Sequence, residues 1–235
     1  MNETASFILF ALIATLIVFV FIFWNHSVKT SKKTARVFYL LSLFLSFGAL
    51  IHVILSVFGL RPANEAYRLW RQALFHADRL IIGTGISSAV LSLLNASRHF
   101  RSRTAPESVQ SFISSPYLLK GLCLSVSISI FGIEIGKSAH DSEMRQFFLG
   151  SGYTVWFMYF IMALETLGAI GLFVSRIIVP SALGLAIILF GAIYTHYRNN
   201  DPFSDSLDAL RLLILLVCVI IVKVLGTGPK TSVEP

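Results

Sequence analysis

The fold of this chain is decided by residues 163–225, which read ALETLGAIGLFVSRIIVPSALGLAIILFGAIYTHYRNNDPFSDSLDALRLLILLVCVIIVKVL. Apolar runs of membrane length follow one another here, and a transmembrane helix needs about 20 predominantly apolar residues. Ionisable side chains inside such runs are costly and face a protein interior, a wet cavity or a partner. Glu165, His196, Asp208 and Arg211 are therefore the first candidates for function.

The composition of the whole chain agrees with a membrane protein. Of its 235 residues 55% are hydrophobic and only 13% are charged, whereas soluble domains carry about 25% charged residues. The net charge of +7 could suggest nucleic acid, but the basic residues lie in short loops, where they act as orientation signals. We predict an all-α, polytopic helical bundle in the lipid bilayer, with no nucleic acid partner.

Seven apolar runs predict seven transmembrane helices. The predicted spans are 6–24, 37–60, 75–95, 117–136, 153–175, 177–197 and 207–225. The third begins with His76, Asp78 and Arg79, so we expect the apolar span to start near Leu80 after a solvated entry. No basic segment precedes the first run, which we therefore expect to remain as a span rather than to be cleaved.

Polar segments divide the chain into regions. Residues 96–116, ASRHFRSRTAPESVQSFISSP, are Ser-rich and polar, and predict a cytoplasmic linker. It would separate a three-helix transmembrane module at 1–95 from a four-helix bundle at 117–225, which a tail at 226–235 follows. Residues 138–152 predict a short surface helix.

The distribution of Lys and Arg predicts the orientation. The dense clusters NHSVKTSKKTAR at 25–36 and RHFRSR at 98–103 fall on one side of the seven spans. Because cytoplasmic loops are enriched in Lys and Arg, we expect the N-terminus outside, the C-terminus in the cytoplasm and the protein in the plasma (cell inner) membrane.

The candidate site residues concentrate in the predicted outer half of the bundle. Glu165 lies about 18 Å from the start of its span at 1.5 Å per residue, while Glu134, His196 and Arg211 lie closer to helix ends. This favours a polar ligand-binding or proton-handling pocket. Structural readings remain open for these residues: Glu165 could pair with Arg211, Asp208 could pair locally with Arg211, and His196 could belong to an aromatic belt.

No catalytic motif accompanies these residues. Cys123 and Cys218 lie in different spans without a CxxC pattern, and there is no HExxH, P-loop or dinucleotide fingerprint. The sequence therefore predicts no metal site and names no catalytic residue.

Three segments carry a family resemblance: FGIEIGKSAHDSEMRQFFLGSGY at 131–153, MALETLGAIGLFV at 162–174 and VPSALGLAIILFGAIYTHYRNNDPF at 179–203. From about Leu118 to Leu225, a little under half of its length, the chain resembles the DoxX-like family of small four-helix membrane proteins, with three additional N-terminal helices. The positions matching the family pattern are Glu165, Gly168, Gly171, Leu172, Pro180, Ala182, Ala192 and His196.

The resemblance implies two functions. The first is a membrane redox component that binds a quinone or similar lipophile, with protons handled by Glu165 and His196 and a polar head oriented by Arg211 and Asp208. Because no flavin, haem or metal motif is visible, its electrons would come from a partner protein. The second is a non-enzymatic accessory subunit or membrane chaperone that docks another protein. A transporter ranks last, since no paired broken helices are visible. Whether the chain is an enzyme stays open.

Overall fold

The computed structural model describes residues 28–60, 65–100 and 107–226. The regular structure within these ranges is helical, without a strand, which confirms the all-α prediction. The helices are α1 (Val28–Val57), α2 (Glu65–Phe100), α3 (Glu107–Ile113), α4 (Pro116–Ala139), α5 (Asp141–Gly150), α6 (Val155–Gly171), α7 (Ile178–Arg198) and α8 (Leu207–Leu225), with a 3₁₀ turn at Phe203–Ser206 before α8. The predicted first span, 6–24, lies outside the described residues.

Four of the described helices are long and apolar enough to cross a membrane. These spans are Lys32–Leu55, Arg79–Ser97, Pro116–Ala139 and Ile178–Arg198, and the bent pair α5–α6 would add a fifth. By itself α6 has 17 residues, about 26 Å of helix against a hydrocarbon core of about 30 Å. The last helix, α8, is apolar between charges near its two ends. The number of seven spans stays a prediction.

Local sequence sets where the helices start and turn. Pro116 begins α4 after the extended Ser115, since proline suits the first helical position, where no N–H partner is needed. The hydroxyl of Thr154 caps α6 by accepting a hydrogen bond from the Phe157 N–H at 3.3 Å. Between α5 and α6 the chain bends by 115°, and Gly152 takes a φ of 78° at this corner, a conformation that favours glycine.

The predicted N-terminal module packs directly on the C-terminal helices. Helix α1 lies along α4 and α2 lies along α8, while α7 packs against both α6 and α8. A Cβ at Gly121 of α4 would stand 2.8 Å from the Phe38 ring of α1, and one at Gly168 of α6 would stand 2.6 Å from Leu185 Cγ of α7. Small residues thus let neighbouring helix backbones approach closely.

The segment predicted as a polar linker is more structured than its composition suggests. Helix α2 continues to Phe100, and α3 follows within the same segment. Val109, Phe112 and Ile113 of α3 are buried in the core. The helix that contains the predicted third span, α2, is also longer than expected, since it begins at Glu65. Its membrane-length apolar part starts at Arg79, next to the expected Leu80.

Candidate functional site

Three ionisable side chains meet between α4 and α6. The Lys137 ammonium donates a hydrogen bond to Glu134 Oε1 at 2.7 Å and a second one to Glu165 Oε2. Glu134 and Glu165 are 8% and 6% exposed, and the Lys137 side chain is 19% exposed. Buried charges need such partners, because desolvating an ion costs several kcal/mol. We call these residues the Glu134–Lys137–Glu165 cluster.

Helix geometry and interhelical register build this cluster. Glu134 and Lys137 are three residues apart on α4, so both project from the same face. The neighbouring α6 runs antiparallel to α4: Ser127 Oγ donates to the Ala169 carbonyl at 2.9 Å, and Lys137, further along α4, bonds Glu165, which comes earlier on α6. The buried Ser127 bond fixes the register at which Glu165 faces Lys137.

The two carboxyl groups of the cluster also approach each other. Both accept a hydrogen bond from the same Lys137 nitrogen, and Glu134 Oε2 is buried without a hydrogen-bond partner among the described residues. A bond between two carboxyl groups forms only when one of them carries a proton to donate. A proton on one of the two carboxyl groups would change the charge of the cluster from −1 to zero and would supply a donor between them.

His196 belongs to a different hydrogen-bonded group. In the last turn of α7 its Nδ1 lies 2.8 Å from Asp201 Oδ2, and its ring centroid lies 5.2 Å from that of Phe147 on α5. The structure thus brings Glu165 together with Glu134 and places His196 with Asp201. A proton-handling role for both Glu165 and His196 stays a prediction.

The corner between α5 and α6 is tied to the end of α7 beside His196. Arg198 donates to the Ser151 carbonyl and lies over the Tyr153 ring at 5.1 Å. Asn199 Nδ2 donates to Ser151 Oγ at 2.7 Å, and Tyr153 pairs with Thr195 through their hydroxyls at 3.0 Å. These bonds hold the bend at which α6, and with it Glu165, begins its path through the bundle.

The other two predicted site residues lie at the start of α8. Asp208 is exposed, while Arg211, one turn later, is half-buried. Lys137 of α4 supplies a cation to Glu165, and a pairing of Glu165 with Arg211 stays a prediction. Arg211 and Asp208 stay candidates for orienting a polar head group.

Lys137 is a site residue that hydropathy alone does not indicate. The predicted fourth span, 117–136, ends just before it, and a lysine at the end of a span commonly reaches out to the interface. A signal was available, because Lys137 follows Glu134 by three residues in GIEIGK. Within residues 28–60, 65–100 and 107–226, no three His, Cys, Asp or Glu side chains gather as metal ligands.

The fold and the cluster define a multi-pass helical membrane protein with a buried ion cluster, in contact with the lipid bilayer. Residues 125–221 match the family model described as DoxX-like family. This match supports the resemblance for the C-terminal part of the chain, which is similar to the DoxX-like family over that range, and the range contains Glu134, Lys137 and Glu165. No curated protein and no solved structure matches the chain.

Proposed function

We propose that this protein is a quinone- or lipophile-binding component of membrane redox chemistry in the plasma membrane, in which the Glu134–Lys137–Glu165 cluster binds and releases protons. The observation that carries the proposal is the pair of buried carboxyl groups, Glu134 and Glu165, that share the Lys137 ammonium. When such a cluster gains or loses one proton, its net charge stays between −1 and zero. The exchange therefore never leaves a large net charge buried in the bundle.

The balance of quinone reduction defines what the protein would supply. Reduction of a quinone to the quinol takes up two electrons and two protons. The cluster would pass on the two protons one at a time, taking each of them up from water, and a redox partner protein would supply the two electrons. Phe157 is half-buried and Phe160 exposed on α6, and they supply apolar surface on the helix that carries Glu165.

Mass spectrometry of the lipid extract from gently solubilised protein tests this proposal. We compare the unmodified protein with Glu165→Gln, which keeps the side-chain shape but cannot exchange a proton. The matched control is Glu143→Gln, an exposed acid on α5. We expect a quinone with the unmodified protein and with Glu143→Gln, and its loss from Glu165→Gln. A quinone retained equally by all three, or by none, would contradict the proposal.

A second candidate is an accessory subunit or chaperone that docks a partner protein, and α5 favours it. None of the ten residues of α5 is buried, and an exposed triangle joins it to α6: Tyr159 donates to Asp141 at 2.7 Å, and Arg145 donates to both. A surface helix that is exposed and bonded to α6 in this way suits docking. A partner protein that co-purifies unchanged with Glu165→Gln, without a small molecule, would favour this candidate.

A further inference from the structure

A cavity of about 430 Å³ lies at the end of the bundle where α4 begins. Its walls come from α1, the α3–α4 turn, α4, the α6–α7 connection and α8. Lys120 on its rim is 17 residues before Lys137 on the same helix, which is about 25 Å along the axis. The cavity is therefore separate from the Glu134–Lys137–Glu165 cluster, and its size is that of a ligand pocket, about 300–1,000 Å³.

The rim of the cavity is positively charged. Lys120 of α4 and Lys223 of α8 line it, together with the hydroxyls of Ser114, Ser115 and Ser175. The described lining residues include no Asp or Glu. Helices α4 and α7 begin here, and α3, α6 and α8 end here, so the helix ends add no net positive charge. The ammonium groups of Lys120 and Lys223 are the cationic groups of the lining, and their N–H donors suit an anionic head group.

The interior of the cavity is apolar. Leu124 of α4, Leu172 after α6 and Ile178 of α7 line it. Leu124 lies four residues beyond Lys120 on α4, about 6 Å deeper into the bundle. A soluble anion such as free phosphate would leave these surfaces without contact, whereas a molecule with an anionic head and a hydrocarbon chain would fill both parts.

We infer that this cavity binds an anionic bilayer phospholipid, with its phosphate between Lys120 and Lys223 and part of an acyl chain against the apolar floor. Two interactions stabilise a lipid at such a site: the attraction between lysine ammonium groups and the anionic head group, and the burial of part of an acyl chain. This site is independent of the proposed proton chemistry, because none of its lining residues belongs to the cluster.

Native mass spectrometry with added phosphatidylglycerol or phosphatidylcholine tests the inference on the full chain. The first variant is Lys120→Gln/Lys223→Gln. Its control is Lys32→Gln/Lys33→Gln, which removes the same charge from exposed positions near the start of α1. A second variant, Ser175→Trp, leaves both lysines in place and fills the mouth of the cavity from an exposed position.

We expect the unmodified protein and the control to retain phosphatidylglycerol over phosphatidylcholine. With about 1 kcal/mol for each lysine, the double variant should retain it about thirtyfold less well, and Ser175→Trp should also lose it. Equal loss in the control, no effect of Ser175→Trp, no preference between the two lipids, or complete displacement by millimolar inorganic phosphate would each overturn the inference.

Discussion

Substituting Lys137 by Met removes the ammonium that bonds both Glu134 and Glu165 while keeping a side chain of similar length. The two carboxyl groups then face each other in a buried site without a cation between them. Removing one partner of a buried ion pair costs about 3–5 kcal/mol. Because the Lys137 side chain is 19% exposed, we expect the lower end, about 3 kcal/mol, a shift of about a hundredfold in the folding equilibrium.

Reversible unfolding in mixed micelles, titrated with a denaturing detergent, measures this free energy. Lys32→Met is the control, since Lys32 is exposed and such surface changes usually stay within about 0.5 kcal/mol. The triple variant Lys137→Met/Glu134→Gln/Glu165→Gln removes all three charges and should recover most of the loss. A cost below about 1 kcal/mol for Lys137→Met, or no recovery in the triple variant, would refute the reasoning that charge pairing stabilises this contact.

Two further predictions concern helix packing and capping. Gly168→Ala should destabilise the protein by about 1–3 kcal/mol, because the added Cβ would stand 2.6 Å from Leu185 Cγ. The control Gly184→Ala should be neutral or stabilising, because no described atom lies within 4 Å of its added Cβ. Equal unfolding free energies for the two variants would contradict this packing. Thr154→Ala should lower the free energy of unfolding by about 1 kcal/mol, because the Phe157 N–H loses the side-chain acceptor that caps α6, and Thr154→Ser, which keeps the acceptor, should restore it in the same titration.

Most helix positions of the C-terminal half could be predicted from the sequence. The predicted 117–136, 177–197 and 207–225 correspond to α4, α7 and α8 to within three residues at each end. These helices are bounded by prolines, glycines and charged residues, which are local signals. The span around Glu165 is shorter than predicted, because α6 ends at Gly171 and turns replace the helix before Ile178.

The candidate site was only partly predictable. Ionisable residues in apolar runs pointed to Glu165 and Glu134, and the structure joins these two. Their shared partner could not be read from hydropathy, since Lys137 at the end of a span has the pattern of an interfacial lysine. The cavity at the opposite end was also hidden, because its walls come from segments far apart in the chain.

The sequence by itself determined that this is a helical membrane protein. The length and apolarity of each run require a helix in the bilayer, regardless of how the helices pack against one another. Only the tertiary structure decided which charges meet. The register of α6 against α4 is held by the hydrogen bond from Ser127 to the Ala169 carbonyl. The register of α6 against α7 is held by the close contact between Gly168 and Leu185. A shift of one helical turn, about 5.4 Å, would separate Glu165 from Lys137 and leave every hydropathy pattern unchanged.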